Sequence, residues 1–268
     1  MDFTNKVVIV TGASSGIGKA LAQLFLEKNA RVALFARSVD KMGEVVKGYP
    51  QDWWLIVGGD VTREEDCKML IEATVQKFGK IDVLINNAGI SMRALFEEVD
   101  LSVLKKLMDV NFWGTVYCTK FALPYLLSSR GSVVGVSSIA GYQGLPGRTG
   151  YSASKFAMHG FLNTLRIEML KQGLHVMIAC PGFTASNIRY TALTADGTPQ
   201  GDTPLKEENL MTPEQVAWKI AKGIARRKRE VIMTTQGRLT VLLGKFFPGF
   251  VDKMVYHHMK KEPDSPLK

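Results

Sequence analysis

The stretch GYSASKFAM, Gly150 to Met158, sets Tyr151 and Lys155 four residues apart. On a helix they lie on one face, one turn above the other. A free tyrosine titrates near pH 10, so at neutral pH its phenol is an unready acid and an almost absent base. Lowering it by about three units takes roughly 4 kcal/mol, and one ammonium about 4 Å away at an effective dielectric near 20 supplies that much. The pairing therefore has the magnitude that proton transfer needs. The competing reading is a tyrosine and a lysine on an exposed helix face, since Y-x-x-x-K also recurs by accident.

Features upstream favour chemistry. Ser137 and Ser138 end the apolar run SVVGV, and Ser138 precedes Tyr151 by thirteen residues across a Gly-rich loop. TGASSGIG, Thr11 to Gly18, follows a second apolar run, KVVIV, and is followed in turn by Asp60-Val61, NNAG at Asn86 to Gly89, Asn111 and Pro181-Gly182. In that order and spacing these motifs resemble the short-chain dehydrogenase/reductase family, from Lys6 to about Thr235. The resemblance implies an oxidoreductase that interconverts a carbonyl and a secondary alcohol. In it Tyr151 is the general acid and base, Ser138 orients the substrate oxygen, Lys155 holds the coenzyme ribose, and Asn111 serves a water relay to Lys155. It also implies pairing into a homodimer or homotetramer through two long helices starting near Leu101 and Tyr151.

The glycine turn carries the coenzyme expectation. Gly12 permits a tight turn, Gly16 lets the backbone approach a phosphate, and Gly18 allows close contact between helix and sheet, with Ser14, Ser15 and Ile17 between them. A helix opening there presents free N–H groups and partial positive charge to a pyrophosphate. Glycines serving only a strand-to-helix turn are the alternative. At the exit of the second strand a carboxylate would bind the ribose 2′-hydroxyl of NAD; this chain has Ala36, Arg37 and Ser38, so the expected coenzyme is NADP(H). Many NADP-dependent relatives carry another basic residue inside the glycine turn, where Ser14 and Ser15 stand. The resemblance adds Asp60 and Val61 at the adenine, Asn86, Ala88 and Gly89 along the ribose, and Pro181, Gly182 and Thr184 beside the nicotinamide. No metal is expected.

The elements that must position these residues are read from periodicity. Continuous apolar runs at Lys6–Val10, Arg31–Phe35, Trp53–Val57, Asp82–Ile85, Ser132–Val136 and Leu174–Ala179, with Glu230–Thr234, read as strands buried on both faces. Alternation with helices predicts a single-domain α/β fold of Rossmann type, a doubly wound parallel sheet of about seven strands with helices on both faces, over residues 1–236. Helices are expected to about Lys28, from a Thr62/Glu65 capping box to Phe78, over Leu101–Ser129 with Asn111 near the middle and Pro124 bending it, and from near Tyr151 to about Gln172. Thr212, Pro213 and Gln215 open another. The aperiodic stretch from 184 to 211 is expected to close over the substrate as a lid.

The chain has 268 residues, 46% hydrophobic and 22% charged, as suits one large globular domain. Its formal charge of +9 is scattered and no nucleic-acid-binding motif accompanies it, so a basic face attracting an anionic coenzyme is expected and nucleic acid is not. Cys67, Cys118 and Cys180 lack metal-ligand spacing, and the chain opens on a strand without a secretory leader, which predicts a cytoplasmic setting. The tail, 237–268, has a broad apolar stripe broken by Pro248-Gly249, too interrupted to span a bilayer. It is expected to pack on the domain, the substrate cleft or a sister subunit, with peripheral membrane contact as the alternative. Phe183, Tyr190 and this tail favour a hydrophobic small-molecule substrate. The competing functions are a membrane-associated lipid reductase and a non-catalytic NADP(H)-binding sensor.

Overall fold

A computed structural model describes residues 1–185, 188–201, 210–263 and 265–267. Seven parallel strands, β1 (Val7–Thr11), β2 (Arg31–Ala36), β3 (Trp54–Gly58), β4 (Val83–Asn86), β5 (Ser132–Val136), β6 (His175–Cys180) and β7 (Glu230–Ile232), form one sheet in the order β3-β2-β1-β4-β5-β6-β7. The apolar runs are continuous because each strand is covered twice. On one side Val8, Val10, Val32 and Leu34 pack under α1 (Gly16–Glu27), α2 (Val39–Val46) and α7 (Pro213–Ala225). On the other, Ile9, Ala33 and Phe35 pack under α3 (Glu64–Phe78), α5 (Gly114–Ser128) and α6 (Thr149–Glu168). Strand order reverses between β1 and β4, so the crevice of a doubly wound sheet opens at their carboxyl ends.

Three helix expectations change. The Thr62/Glu65 capping box does not form: Asp60 accepts both the hydroxyl and the N–H of Thr62, each at 3.0 Å, and α3 starts two residues later with Arg63 at its cap. The Asp60 N–H is in turn bound by the Asp66 carboxylate at 2.9 Å, so the carboxylates here brace a loop. The expected single helix from Leu101 to Ser129 is α4 (Leu101–Met108) and α5 joined by a π turn, Asp109–Trp113, with Asn111 inside it. Such turns insert one residue and occur often at functional sites. The eight-residue α2 was not anticipated. By contrast Thr212 and Gln215 form a reciprocal capping box, each bond 3.2 Å, with Pro213 in the first turn of α7.

The tail folds into α8 (Thr235–Phe246) and α9 (Pro248–Lys260), with α8 beginning before residue 237. Val251, Val255 and Met259 of α9 form a small core with Leu145 and Leu243. Among the described residues no helix is long and apolar enough to cross a membrane. Of the expected lid, 186–187 and 202–209 lie outside the described residues. Its ends pair at Thr184 and Met211, and Leu193 pairs with Met92.

Candidate active site

A cavity of about 1090 Å³ runs along the carboxyl edge of the sheet, from the turn after β2 to α9. Its coenzyme end is main chain. Gly12 has φ +67°, and a Cβ there would lie 2.9 Å from Ala88 Cα. A Cβ on Gly18 would overlap the Gly12 carbonyl oxygen and come within 2.6 Å of the Asn87 amide. The two turns are tied by Thr11, whose hydroxyl accepts the N–H groups of Asn87 and Ala88 at 3.0 Å each. Helix α1 begins after Ser15 with no side-chain cap and no acidic residue in its first turn. Ser14, Ser15, Gly16 and Ile17 line the cavity there. Unfilled N–H donors, a cradle that a Cβ would fill and adjacent cations suit a dinucleotide pyrophosphate.

Arg37 lines the cavity, and so does Lys41, one turn into α2, a cation that the sequence reading missed. Asp60, Val61, Ala88, Gly89, Pro181, Gly182 and Thr184 also line it. Three expected residues do not. Gly18 sits behind the turn as packing. Asn86, last in β4, is buried and donates to Thr119 Oγ1 at 3.0 Å; successive strand residues face opposite sides, so its neighbour Asn87 faces the cavity. Asn111 is wholly buried. Its Oδ1 accepts the Ile90 N–H at 2.8 Å, and its Nδ2 donates to the Ile90 carbonyl at 3.0 Å and Ser154 Oγ at 2.9 Å. Here it fixes the loop after β4 to α6, one residue from Lys155.

Ser138, Tyr151 and Lys155 converge on the middle of the cavity. Ser138 follows β5 and its hydroxyl also accepts the Ala140 N–H at 3.2 Å. Lys155 is 3% exposed and donates to the Val136 carbonyl at 3.0 Å. Burial pulls its pKa down from 10.5 to about 8, against a small opposing pull from Cys180. Its Nζ is 5.7 Å from the Tyr151 ring centroid.

At the phenol itself burial outweighs the nearby charges. Burial raises the Tyr151 pKa above 10.0; the Ser138 hydroxyl lowers it, Cys180 adds to the rise, and Arg148 lowers it. The phenol is therefore firmly protonated at neutral pH. Cys180 ends β6 as a thiol, its pKa raised by burial to about 12.

Arg93, Arg148, Leu239, Met254, Val255 and His258 form the far end of the cavity. No motif marks Arg93 or Arg148, whereas Leu239, Met254 and Val255 belong to the apolar stripe of the tail.

A family model described as short chain dehydrogenase matches residues 6–196. The chain belongs to the short-chain dehydrogenase/reductase family, and with it to oxidoreductases acting on CH–OH and C=O groups. Among individual relatives, it is 34% identical over 263 residues to a Dictyostelium discoideum dehydrogenase/reductase SDR family protein 7-like, covering 95% of this chain and 82% of that one. It is 35% identical over 258 residues to an 11-beta-hydroxysteroid dehydrogenase-like 2 from Arabidopsis thaliana, covering 94% and 81%. A crystal structure of a short-chain dehydrogenase from Streptomyces avermitilis superposes with a TM-score of 0.81 at 26% identity, over 96% of this chain and 98% of that one.

Proposed function

We propose that this protein is an NADP(H)-dependent reductase of a bulky hydrophobic carbonyl, with Tyr151 as proton donor. The observation that carries the reading is the meeting of Ser138, Tyr151 and Lys155 in one cavity that continues to the glycine turn. When bound there, a nicotinamide coenzyme supplies the hydride. Gly12, Ser14, Ser15 and Gly16 would hold its pyrophosphate. Arg37 and Lys41 would hold a 2′-phosphate, since two cations at the end of β2 favour that dianion over a hydroxyl.

Ser138 orients the carbonyl oxygen and stabilises charge developing on it. Tyr151 gives its proton to that oxygen; a phenol kept neutral by burial is loaded for donation. Lys155, protonated below about 8, holds ribose hydroxyls and supplies positive charge beside the phenol. Asn111 keeps the loop after β4 and the Lys155 turn in register.

Leu239, Met254 and Val255 support a hydrophobic substrate, as does the hydroxysteroid dehydrogenase naming of relatives. A second reading, action on lipid at a membrane surface, draws support from exposed Leu242 and Phe246 on α8, Phe247 between the helices and Phe250 on α9, beside Lys245 and Lys253. Exposed Trp113, Tyr125 and Phe156 on α5, α6 and the π turn support homo-oligomerisation through those helices. Three buried free cysteines support a reducing, cytoplasmic setting.

The test is NADPH consumption with a panel of a 3-oxosteroid, a 3-oxoacyl thioester and an aromatic aldehyde, comparing wild type with Tyr151→Phe. Turnover that falls by at least roughly 1,000-fold in the variant, with NADPH affinity kept, is expected. NADPH binding without turnover of any member would favour the sensor. Vesicle co-sedimentation of wild type against Phe246→Ser/Phe250→Ser separates the membrane reading.

A further inference from the structure

We propose that Glu262, just beyond α9, is a positioning residue of the active site: its carboxylate holds Arg148 and Arg93 at the substrate end of the cavity, and so sets where that wall stands and how much of the Arg148 charge reaches Tyr151. The inference rests on the proton-donor role proposed above.

The Glu262 side chain is 4% exposed, and a buried carboxylate persists where it is paired. Both of its oxygens accept from Arg148 Nη2, at 3.1 and 3.4 Å. Arg93 Nη2 lies 3.7 Å away and donates to the Pro263 carbonyl next door. Arg148 and Arg93 both line the cavity, on segments that touch each other through the Ala94 N–H and the Gly147 carbonyl. Glu262 is thus a shared anchor for two wall segments that the sheet does not hold. The tail has no need of a buried charge for its own docking, since Val251, Val255 and Met259 already pack on Leu145, and an apolar residue would dock it at least as well.

Arg148 caps α6 three residues before Tyr151, and its charge works to make the phenol more acidic. The groups facing Tyr151 are Lys155 and Arg148 from its own helix, Ser138 after β5, and Cys180 at the end of β6. Among the described residues, the charged groups on Glu262 are Arg93 and Arg148. Neutralising Glu262 unmasks Arg148 toward the phenol and releases the wall, whereas neutralising Arg148 does the opposite to the phenol.

The experiment is a double-mutant cycle of Glu262→Gln and Arg148→Gln in the full chain, with Glu262→Asp as the conservative control. Difluorotyrosine placed at residue 151 reports the phenol titration by fluorine NMR without coenzyme or substrate. Kinetics with NADPH and 4-nitrobenzaldehyde report KM and kcat. Glu262→Gln is expected to lower the phenol titration by about half a unit or more, Arg148→Gln to raise it, and Glu262→Gln to have a smaller effect in the Arg148→Gln background, where the buried carboxylate, left without its main partner, takes up a proton. The aldehyde KM is expected to rise several-fold with NADPH affinity unchanged, and Glu262→Asp to restore part of both. An unchanged titration in Glu262→Gln, or an equal shift in both backgrounds, overturns the proposal. A titration that shifts as expected while no carbonyl is reduced leaves the coupling standing and removes the reductase reading instead.

Discussion

The coenzyme end of the cavity is made by short turns, each leaving the carboxyl end of a neighbouring strand, whereas the substrate end collects Arg93, Arg148, Met254 and His258 from distant parts of the chain. At the first end the surface is backbone, with glycines fitted against other main-chain atoms that cannot yield. At the second it is side chains on a loop and on two helices with a small core of their own. Tolerance to change should therefore differ, steep at one end and shallow at the other.

Of changes at the two ends, the largest effect expected is that of Gly18→Ala. Its new methyl meets the Gly12 carbonyl and the Asn87 amide, and should cost about 1–3 kcal/mol of stability together with NADPH affinity on the order of 100-fold. Thermal melts with and without NADPH measure both; a variant as stable as wild type and equally stabilised by NADPH breaks the contrast. Arg37→Asp should swing the NADPH to NADH ratio of kcat/KM by roughly 30-fold toward NADH while leaving the carbonyl KM alone.

Between the two ends lies a pH effect. Below the Lys155 pKa of about 8 the ammonium is present, and above it the charge is lost, so kcat/KM for carbonyl reduction should fall about tenfold per unit as pH rises beyond 8. A pH profile flat to 10 would show that this charge plays no part. The smallest effect belongs to the substrate end. Met254→Trp narrows the cavity beside α9 and should shift the KM of a bulky ketone several-fold relative to that of a small aldehyde, without touching NADPH affinity.

The same contrast decides what could be read in the sequence. The strands were legible because a parallel strand covered on both faces is a continuous apolar run, and the doubly wound class followed from alternation with helices. The coenzyme end was legible because its contacts are local and its glycines have backbone reasons to be there. Asn86 was chosen over Asn87 because spacing alone does not tell which of two adjacent strand residues turns inward. Lys41 was missed with α2, an eight-residue helix too short for a clear period. Thr62 and Glu65 have the spacing of a capping box, but Asp60 competes successfully for the Thr62 hydroxyl. Arg93, Arg148 and Glu262 could not be found at all, because their meeting is produced by tertiary packing and leaves no spacing in the chain. The desolvation of Tyr151 was not legible for a related reason: it belongs to the folded cavity, not to an i, i+4 pair.

The π turn at Asp109–Trp113 works as a gear tooth between two helices. Each residue turns a helix by about 100°, so one added position lets α4 aim Val103 and Leu107 at Met92 and Leu193 while α5 aims Cys118, Ala122 and Leu126 under the sheet. Deleting Val110 would put both helices on one common register, and one of those two apolar faces would have to swing out into water. The most damaging lesion in this stretch would thus be a change of length, with every side-chain type preserved.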